Sequence, residues 1–473
     1  MDLLVGIDLG TTACKVTIVA SDLTATTVTS LPYPISSPHR GWAEQDPLAW
    51  SEAVDTTLQR ALDSVSAGPH DTVTLSMTGQ MHSLVLLDAD GHTARPAILW
   101  ADRRATAECT MIENRVPDIA AITGNPPLPA FTLPQLLWVR RHEPEVLSRT
   151  SNILLPKDYL RWRCTGCVMT DWTDASGTGM LDAATREWST TILSALELDP
   201  GLLPPVADPV ADGGAVERPA RPALQAARTA VGVGDQFAEA ISAGLTHAGD
   251  MAIILGTSAV VLGVSDHPVP GSFCHAQSDL WLRLDSLHAG GKSLQWLRDM
   301  LAPGERLASF TSAAMSAPPG AHDLVFLPFL MGERGARGGG APGAFVGLTT
   351  EHGPGDLIRA VLEGVAFELR RLQQRRGTPL PTDVLTLKGG GAQSELWCRI
   401  VSGVFGVPYR TTHRDAAYGA AMTAGVSQGW WPGWQSVPAL NDSINESGLT
   451  DVEVLNDRYA RYCAVVDALT PDS

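Results

Sequence analysis

Val5-Gly6-Ile7-Asp8-Leu9-Gly10-Thr11-Thr12-Ala13-Cys14-Lys15-Val16-Thr17-Ile18-Val19 stands near the start of the chain and reads as strand, turn and strand. β-Branched and apolar residues flank an Asp-x-Gly-Thr-Thr centre. The two glycines allow close backbone approach, and Gly10, Thr11 and Thr12 then offer free N–H groups and two hydroxyls to an anion, with Lys15 just beyond. Asp8 does not fit a bare anion site, because a carboxylate repels phosphate unless a cation lies between them. It points to Mg²⁺ held through a carboxylate and water. An ordinary hairpin with an Asp-Gly type turn is the plain alternative.

The turn recurs. Ala252-Ile253-Ile254-Leu255-Gly256-Thr257-Ser258-Ala259-Val260-Val261 shares Leu-Gly-Thr-(Thr/Ser)-Ala with Leu9–Ala13. Ile254 stands where the first copy has Asp8, so the second turn keeps donors and drops the carboxylate. The pair reads as a duplicated domain. Each half offers one turn, through Gly256, Thr257 and Ser258 in the second, to a single polyphosphate, and the first alone handles metal.

Between the turns, Asp46-Pro47 is a helix entry, followed by a face of Leu48, Trp50, Ala53, Val54 and Leu58. A β-rich run, 72–76, ends in Met77-Thr78-Gly79-Gln80-Met81-His82-Ser83, and 84–87 reads as the next strand. Gln80, Met81 and His82 therefore fall at a sheet end, where ligand-facing loops collect. A strand at 97–100 delivers Asp102 and Arg103, an ion pair or a grip on a substrate hydroxyl. Segments 155–160 and 170–179 are dense in small polar groups, and 201–222, rich in Pro, Gly and Asp, reads as a connection. Ala230-Val231-Gly232-Val233-Gly234-Asp235-Gln236-Phe237 then places Asp235 at a helix start, as a cap or as an acceptor for a hydroxyl proton.

In the second half, an apolar run at 324–330 enters Gly332-Glu333-Arg334 and a glycine-rich loop to Gly343, and 357–371 has helical periodicity. Val384–Lys388 opens into Gly389-Gly390-Gly391-Ala392-Gln393-Ser394 and a helix over 395–405, a layout that brings a nucleotide close to backbone. Neither G-x-G-x-x-G nor a P-loop occurs, so dinucleotide and P-loop folds are not supported. A small-residue helix follows Asp415, and an amphipathic one covers 457–469.

At 473 residues the chain exceeds what one core usually supports, so two domains are expected. A net charge of −17 argues against nucleic acid or an anionic membrane as partner. Seven scattered cysteines suit a reducing compartment, and Cys164-Thr165-Gly166-Cys167, lacking a second pair, reads as two incidental thiols. With neither a secretory leader nor a membrane-length apolar run in the sequence, the expectation is a soluble cytoplasmic protein.

Taken together these stretches resemble the FGGY carbohydrate kinases of the sugar kinase/Hsp70/actin superfamily, and within them the branch acting on D-xylulose. The likeness runs in order through Gly6–Thr12, Trp42-Ala43-Glu44-Gln45-Asp46-Pro47, Thr78–His82, Leu155–Tyr159, Asp174–Thr178, Gly234-Asp235, Leu255–Ala259 and Gly389–Ser394. It implies an α/β fold of two duplicated ribonuclease H-like domains flanking a cleft, 1–236 with the sugar site and first phosphate turn and 237–473 with the nucleotide site. It implies ATP and Mg²⁺ and transfer to the 5-hydroxyl of a ketose. Asp235 would be the base and Asp8 the metal-holding carboxylate. Gln80, Met81, His82, Asp102 and Gln236 would hold the sugar. Gly10, Thr11, Thr12, Lys15, Gly256, Thr257, Ser258, Gly390, Gly391, Ala392 and Ser394 would hold ATP. A homodimer is left open. The chain departs from the family pattern at Gly335–Arg337 and, at or near the sugar site, at Ser83, Ala101–Arg104 and Gln236-Phe237; these last three leave open another ketose or a polyol. An ATP-driven protein of the actin/Hsp70 type is the rival from a different class.

Overall fold

The computed structural model describes residues 1–217, 222–331, 342–375, 383–438 and 444–469. The Gly332-Glu333-Arg334 segment and most of the loop after it lie outside the described residues. The chain packs as two units, Met1–Ser242 with Asp266–Leu282 and Arg414–Pro438, and Ala243–Ser265 with Arg283–His413 and Ala439–Ser473.

In the first unit, β1 (Asp2–Leu9) and β2 (Cys14–Ala20) form an antiparallel hairpin that pairs Asp8 with Lys15 and Leu9 with Cys14, leaving residues 10–13 as the turn. β3 (Ala25–Thr29) continues the meander. The expected helix is α1 (Pro47–Ser64), with Asp46 accepting the Leu48 N–H at 2.9 Å and Pro47 in the first turn, where no intrahelical donor is lost. Its buried stripe is Trp50, Val54, Leu58, Ala61 and Leu62; Leu48, expected on that face, is exposed, because the cap sets the phase one position away. β4 (Thr72–Gly79) lies parallel to β1 and runs three residues beyond the expected 72–76, so Leu9 pairs with Gly79 and both strands end level. β5 (Asp212–Ala215) and β6 (Arg228–Ala230) complete the order β5-β6-β4-β1-β2-β3, and α2 (Asp235–Ser242) follows.

The last layer of this unit comes from far along the chain. The Ala416–Gln428 helix is built of Ala and Gly because it lies against backbone: a Cβ on Gly6 would sit 1.8 Å from the Ala417 carbonyl oxygen, and one on Gly419 would sit 1.9 Å from that of Ala238 in α2.

The second unit repeats the plan. β7 (Met251–Leu255) and β8 (Ala259–Ser265) form the hairpin, here closing Leu255 on Ala259, so its turn is one residue shorter than the first. With β9 (Trp281–Leu287), β10 (Leu385–Lys388) and β11 (Tyr409–Thr411), five of the six strands of this sheet run β9-β8-β7-β10-β11, with β10 parallel to β7 as β4 is to β1. Against it pack α3 (Gly291–Leu301), α4 (Pro354–Arg375), α5 (Glu395–Phe405) and the Val452–Leu469 helix, through a core that includes Leu294, Val361, Val365, Val401 and Tyr462. α5 starts where the Ser394 hydroxyl caps the Trp397 N–H.

Candidate active site

The level ends of β1 and β4 in the first unit set the site. Asp8 is the penultimate residue of β1, and Gln80 follows β4 with its N–H on the Leu9 carbonyl at 2.9 Å. Burial, then the charges of Asp235, Glu239 and Asp415, push the Asp8 carboxyl well above its ordinary range, with Lys15 opposing them. Three further carboxylates thus act on Asp8 and one ammonium opposes them, a local excess of negative charge that a cation would relieve. Lys15 reaches Asp415 Oδ2 at 3.0 Å, and although burial alone would lower it, Asp415, then Asp8 and Glu239, hold its ammonium above the usual value. Asp415 caps the Ala416–Gln428 helix through the Tyr418 N–H.

Asp235 opens α2. Burial pushes its carboxyl up to about 7, against hydrogen bonds from the Gln236 side chain and backbone and from the Met81 N–H, with Glu239 adding to the rise. A carboxylate balanced near neutral pH is suited to accept a hydroxyl proton. Gln236 Nε2 lies 3.4 Å from Asp235 Oδ1. Met81 is buried beside Gly234, where a Cβ would meet its sulfur at 2.9 Å. His82 takes φ +70°, and its Nδ1 lies 2.6 Å from the Gly177 carbonyl, so Nδ1 carries the proton. Phe131 lies against the ring, with centroids 4.8 Å apart. Asp235, Gln236, Met81 and His82 are therefore gathered in one place.

The phosphate turn is tied to this loop. Gln80 Nε2 donates to Gln45 Oε1 at 3.0 Å, Gln45 Nε2 to the Thr11 carbonyl at 2.8 Å, and Trp100 Nε1 to Thr11 Oγ1 at 3.0 Å. With the indole on one lone pair, the Thr11 hydroxyl keeps its proton for an outside acceptor. The Tyr33 hydroxyl donates to the Gly10 carbonyl, and the Thr12 carbonyl takes the Tyr33 N–H at 2.9 Å, leaving the Thr12 side chain exposed.

Asp102 does not join the group expected to hold the sugar. It has no exposed surface, and its oxygens take the Ala43 N–H at 2.6 Å, the Arg104 N–H at 2.8 Å and the Arg104 guanidinium at 2.7 and 2.9 Å. Arg104 also pairs with Glu44 and lies 3.6 Å over the Trp42 ring. This is an ion pair, in the core rather than at a surface. Cys164 is half-buried, and burial pushes its thiol up to about 12, which leaves it unreactive.

In the second unit, Thr257 and Ser258 are exposed at the β7–β8 turn. The start of α3 backs it: the Gly291 N–H donates to the Gly256 carbonyl at 2.9 Å and the Lys292 N–H to that of Thr257 at 3.0 Å, and a Cβ on Gly291 would lie 2.5 Å from the Gly256 oxygen. Gly389, at φ +86°, and Gly391 rest on Leu255 at the end of β7, so the triple-glycine turn and the phosphate turn adjoin; Gly390 stands open, Ala392 is buried, and Ser394 is spent on its helix cap.

Sequence reasoning missed Glu239, Asp415, Gln45, Trp100 and Gly290-Gly291. Glu239 carried a signal, since four residues past Asp235 lies on the same helix face. Asp415 carried none locally.

Residues 3–238 match the N-terminal domain of the FGGY family of carbohydrate kinases, and residues 251–428 match its C-terminal domain. The chain belongs to the FGGY family. It is 37% identical over 436 residues to the xylulose kinase of Escherichia coli strain K12, covering 89% of this chain and 90% of that one. The ligand-bound xylulose kinase of Lactobacillus acidophilus superposes with a TM-score of 0.91 at 27% identity, covering 100% and 99% of the two chains. A gluconate kinase of the same organism superposes at 0.89 with 26% identity over 100% and 99%. The two-unit α/β architecture is the FGGY kinase fold, and membership makes the protein a carbohydrate kinase with ATP as co-substrate, which sets aside the actin/Hsp70-type rival.

Proposed function

We propose that this FGGY kinase transfers the γ-phosphoryl group of ATP to the 5-hydroxyl of D-xylulose, giving D-xylulose 5-phosphate and ADP. The observation that carries the reading is Asp235. Its carboxyl is raised to about 7 and faces Gln236 and the Met81-His82 loop, in a chain 37% identical to a xylulose kinase.

Asp235 accepts the hydroxyl proton as that oxygen attacks the γ-phosphorus and the bond to the β-phosphate oxygen breaks. Gln80, Met81, His82 and Gln236 orient the sugar. Gly10, Thr11 and Thr12 from one turn and Gly256, Thr257 and Ser258 from the other donate to phosphate oxygens, so positioning and electrostatics account for most of the rate. Lys15 balances the carboxylates at the first turn. Gly390 and Gly391 let adenosine approach backbone, beside Ala392 and Ser394. Asp8 would hold Mg²⁺, which when bound neutralises charge on the phosphates. The reading includes a cytoplasmic location; among the described residues no helix is long and apolar enough to cross a membrane. A homodimer is the assembly to test by light scattering.

The likeness to a gluconate kinase makes another ketose or a polyol the second reading. Purified protein with Mg-ATP, offered D-xylulose, D-ribulose, gluconate, glycerol and sugar alcohols, separates the two by kcat/KM for ADP formation. D-Xylulose is expected to lead. A better rate with another acceptor, or ADP release independent of sugar, refutes the proposal.

A further inference from the structure

The segments 155–160 and 170–179 have so far been given no task, yet they converge on one buried cluster. Lys157 Nζ lies 2.6 Å from Asp158 Oδ1 and 2.8 Å from Asp171 Oδ1, and Arg161 pairs with Asp158 at 3.2 Å; none of the four side chains reaches solvent. Asp174, 3.8 Å from Lys157, is equally buried, and burial raises its carboxyl well above the ordinary range despite that lysine. Three carboxylates thus share two cations, and Asp174 is the one whose ionised form burial disfavours most plainly.

Two ties run from this cluster to the strand end that delivers Asp235. Arg161 donates to the Val231 carbonyl at 2.7 Å. Asp171, fixed by Lys157, takes the Thr173 N–H at 2.7 Å and the Thr173 hydroxyl proton, and that hydroxyl in turn accepts the Gly234 N–H at 3.0 Å. The peptide plane it holds joins Val233 to Gly234, one removed from Asp235, and the carbonyl of Gly234, in the next plane, takes the Phe237 and Ala238 N–H groups of α2 at 3.1 and 3.0 Å. Gly232, at φ +96°, is pressed so closely on β4 that a Cβ would lie 2.2 Å from the Met77 oxygen. The segment from 231 to 234 therefore has little freedom except about the Thr173 bond.

We propose that Thr173 is a positioning residue for the base: with its proton committed to Asp171, its hydroxyl can only accept from Gly234, and this fixes the direction in which the Asp235 carboxylate leaves α2. The inference rests on the kinase reading above. A displacement of the base of about 1 Å costs up to about 100-fold in turnover, so a loose Gly234 peptide lowers kcat without weakening binding.

The test is a series at position 173, assayed on the purified full chain with Mg-ATP and the sugar that the acceptor panel identifies. Thr173→Val keeps the shape and removes both hydrogen bonds; the expectation is a loss of about 10- to 100-fold in kcat with both KM values near wild type, and recovery in Thr173→Ser. Should the valine variant not fold, Thr173→Cys, whose sulfur donates and accepts weakly, takes its place against serine. A purely structural residue would lower the melting temperature in proportion and leave kcat of the folded fraction intact. Equal kcat in wild type and in valine, or in cysteine and serine, overturns the proposal while the kinase reading stands. A wild type inactive on every acceptor overturns both.

Discussion

Asp235→Asn separates catalysis from stability in a way that only the raised carboxyl predicts. An aspartate ordinarily titrates at 3.8, and burial moves Asp235 to about 7. The folded protein therefore holds a proton that the unfolded chain has released everywhere between those two values. The stability this contributes is complete below pH 4 and is lost as pH rises through 7. Across the whole window the shift of about 3 units corresponds to about 4 kcal/mol, of which about 2.5 kcal/mol falls between pH 5 and pH 8. Asparagine never ionises and escapes that loss. In EDTA, to keep cations off Asp8, the variant should match or modestly exceed wild type at pH 5 and exceed it clearly at pH 8, by a few degrees in Tm. Its kcat should meanwhile fall by about 10²- to 10⁴-fold, the usual worth of a general base, with substrate binding by calorimetry largely kept. Thermal melts at the two pH values and steady-state kinetics read both quantities. Near-wild-type kcat removes Asp235 as the base. A Tm difference that does not widen with pH removes burial as the cause of its raised carboxyl.

Three further outcomes follow from the packing and the turns. Gly6→Ala drives a methyl into the Ala417 carbonyl, 1.8 Å away, and should cost about 3 kcal/mol or more, seen as a collapsed denaturation midpoint. Asp102→Ala strands the buried Arg104 guanidinium, which keeps only Glu44, and should cost about 3 kcal/mol while leaving the sugar KM of the folded enzyme within about twofold. Removing both hydroxyls with Thr257→Ala and Ser258→Ala should cost about 1 kcal/mol each, raising the KM for ATP roughly 30-fold without moving that for the sugar.

What could be read from the sequence was local. The two hairpins were legible because alternating β-branched residues and Gly-Thr turns are complete within fifteen positions, and Asp235 was legible because a strand, glycines and an Ala-rich helix announce its place. Topology carries the rest. Lys15 finds Asp415 across 400 positions of sequence, and nothing near residue 415 names that partner. The Ala416–Gln428 helix did carry a trace of it. So many Ala and Gly in a buried helix is what close approach to Gly6 and α2 demands, but small residues alone do not say which strand they approach. Leu48 failed for a different reason. Its spacing fitted a helical face, and only the Asp46 cap, by fixing where the helix begins, decides that Trp50 and not Leu48 points inward.

The same distinction bears on sugar choice. Three departures from the family pattern, at Ser83, Ala101–Arg104 and Gln236-Phe237, looked in sequence like changes in the sugar pocket. Ser83 is fully buried, its hydroxyl accepting the Trp100 N–H at 3.1 Å. Asp102 and Arg104 close a buried ion pair under Trp42. Phe237 turns into the core, its ring edge-on to His275 at 6.4 Å. Changes of this kind alter how the loops are braced, and a bracing change need not alter which hydroxyls are bonded. Gln236 is different, because its amide faces Asp235 itself. Nearly all the sequence novelty near the site thus lies behind its wall, and Gln236, whose amide lies 3.4 Å from Asp235, is the departure whose exchange for asparagine tests acceptor preference.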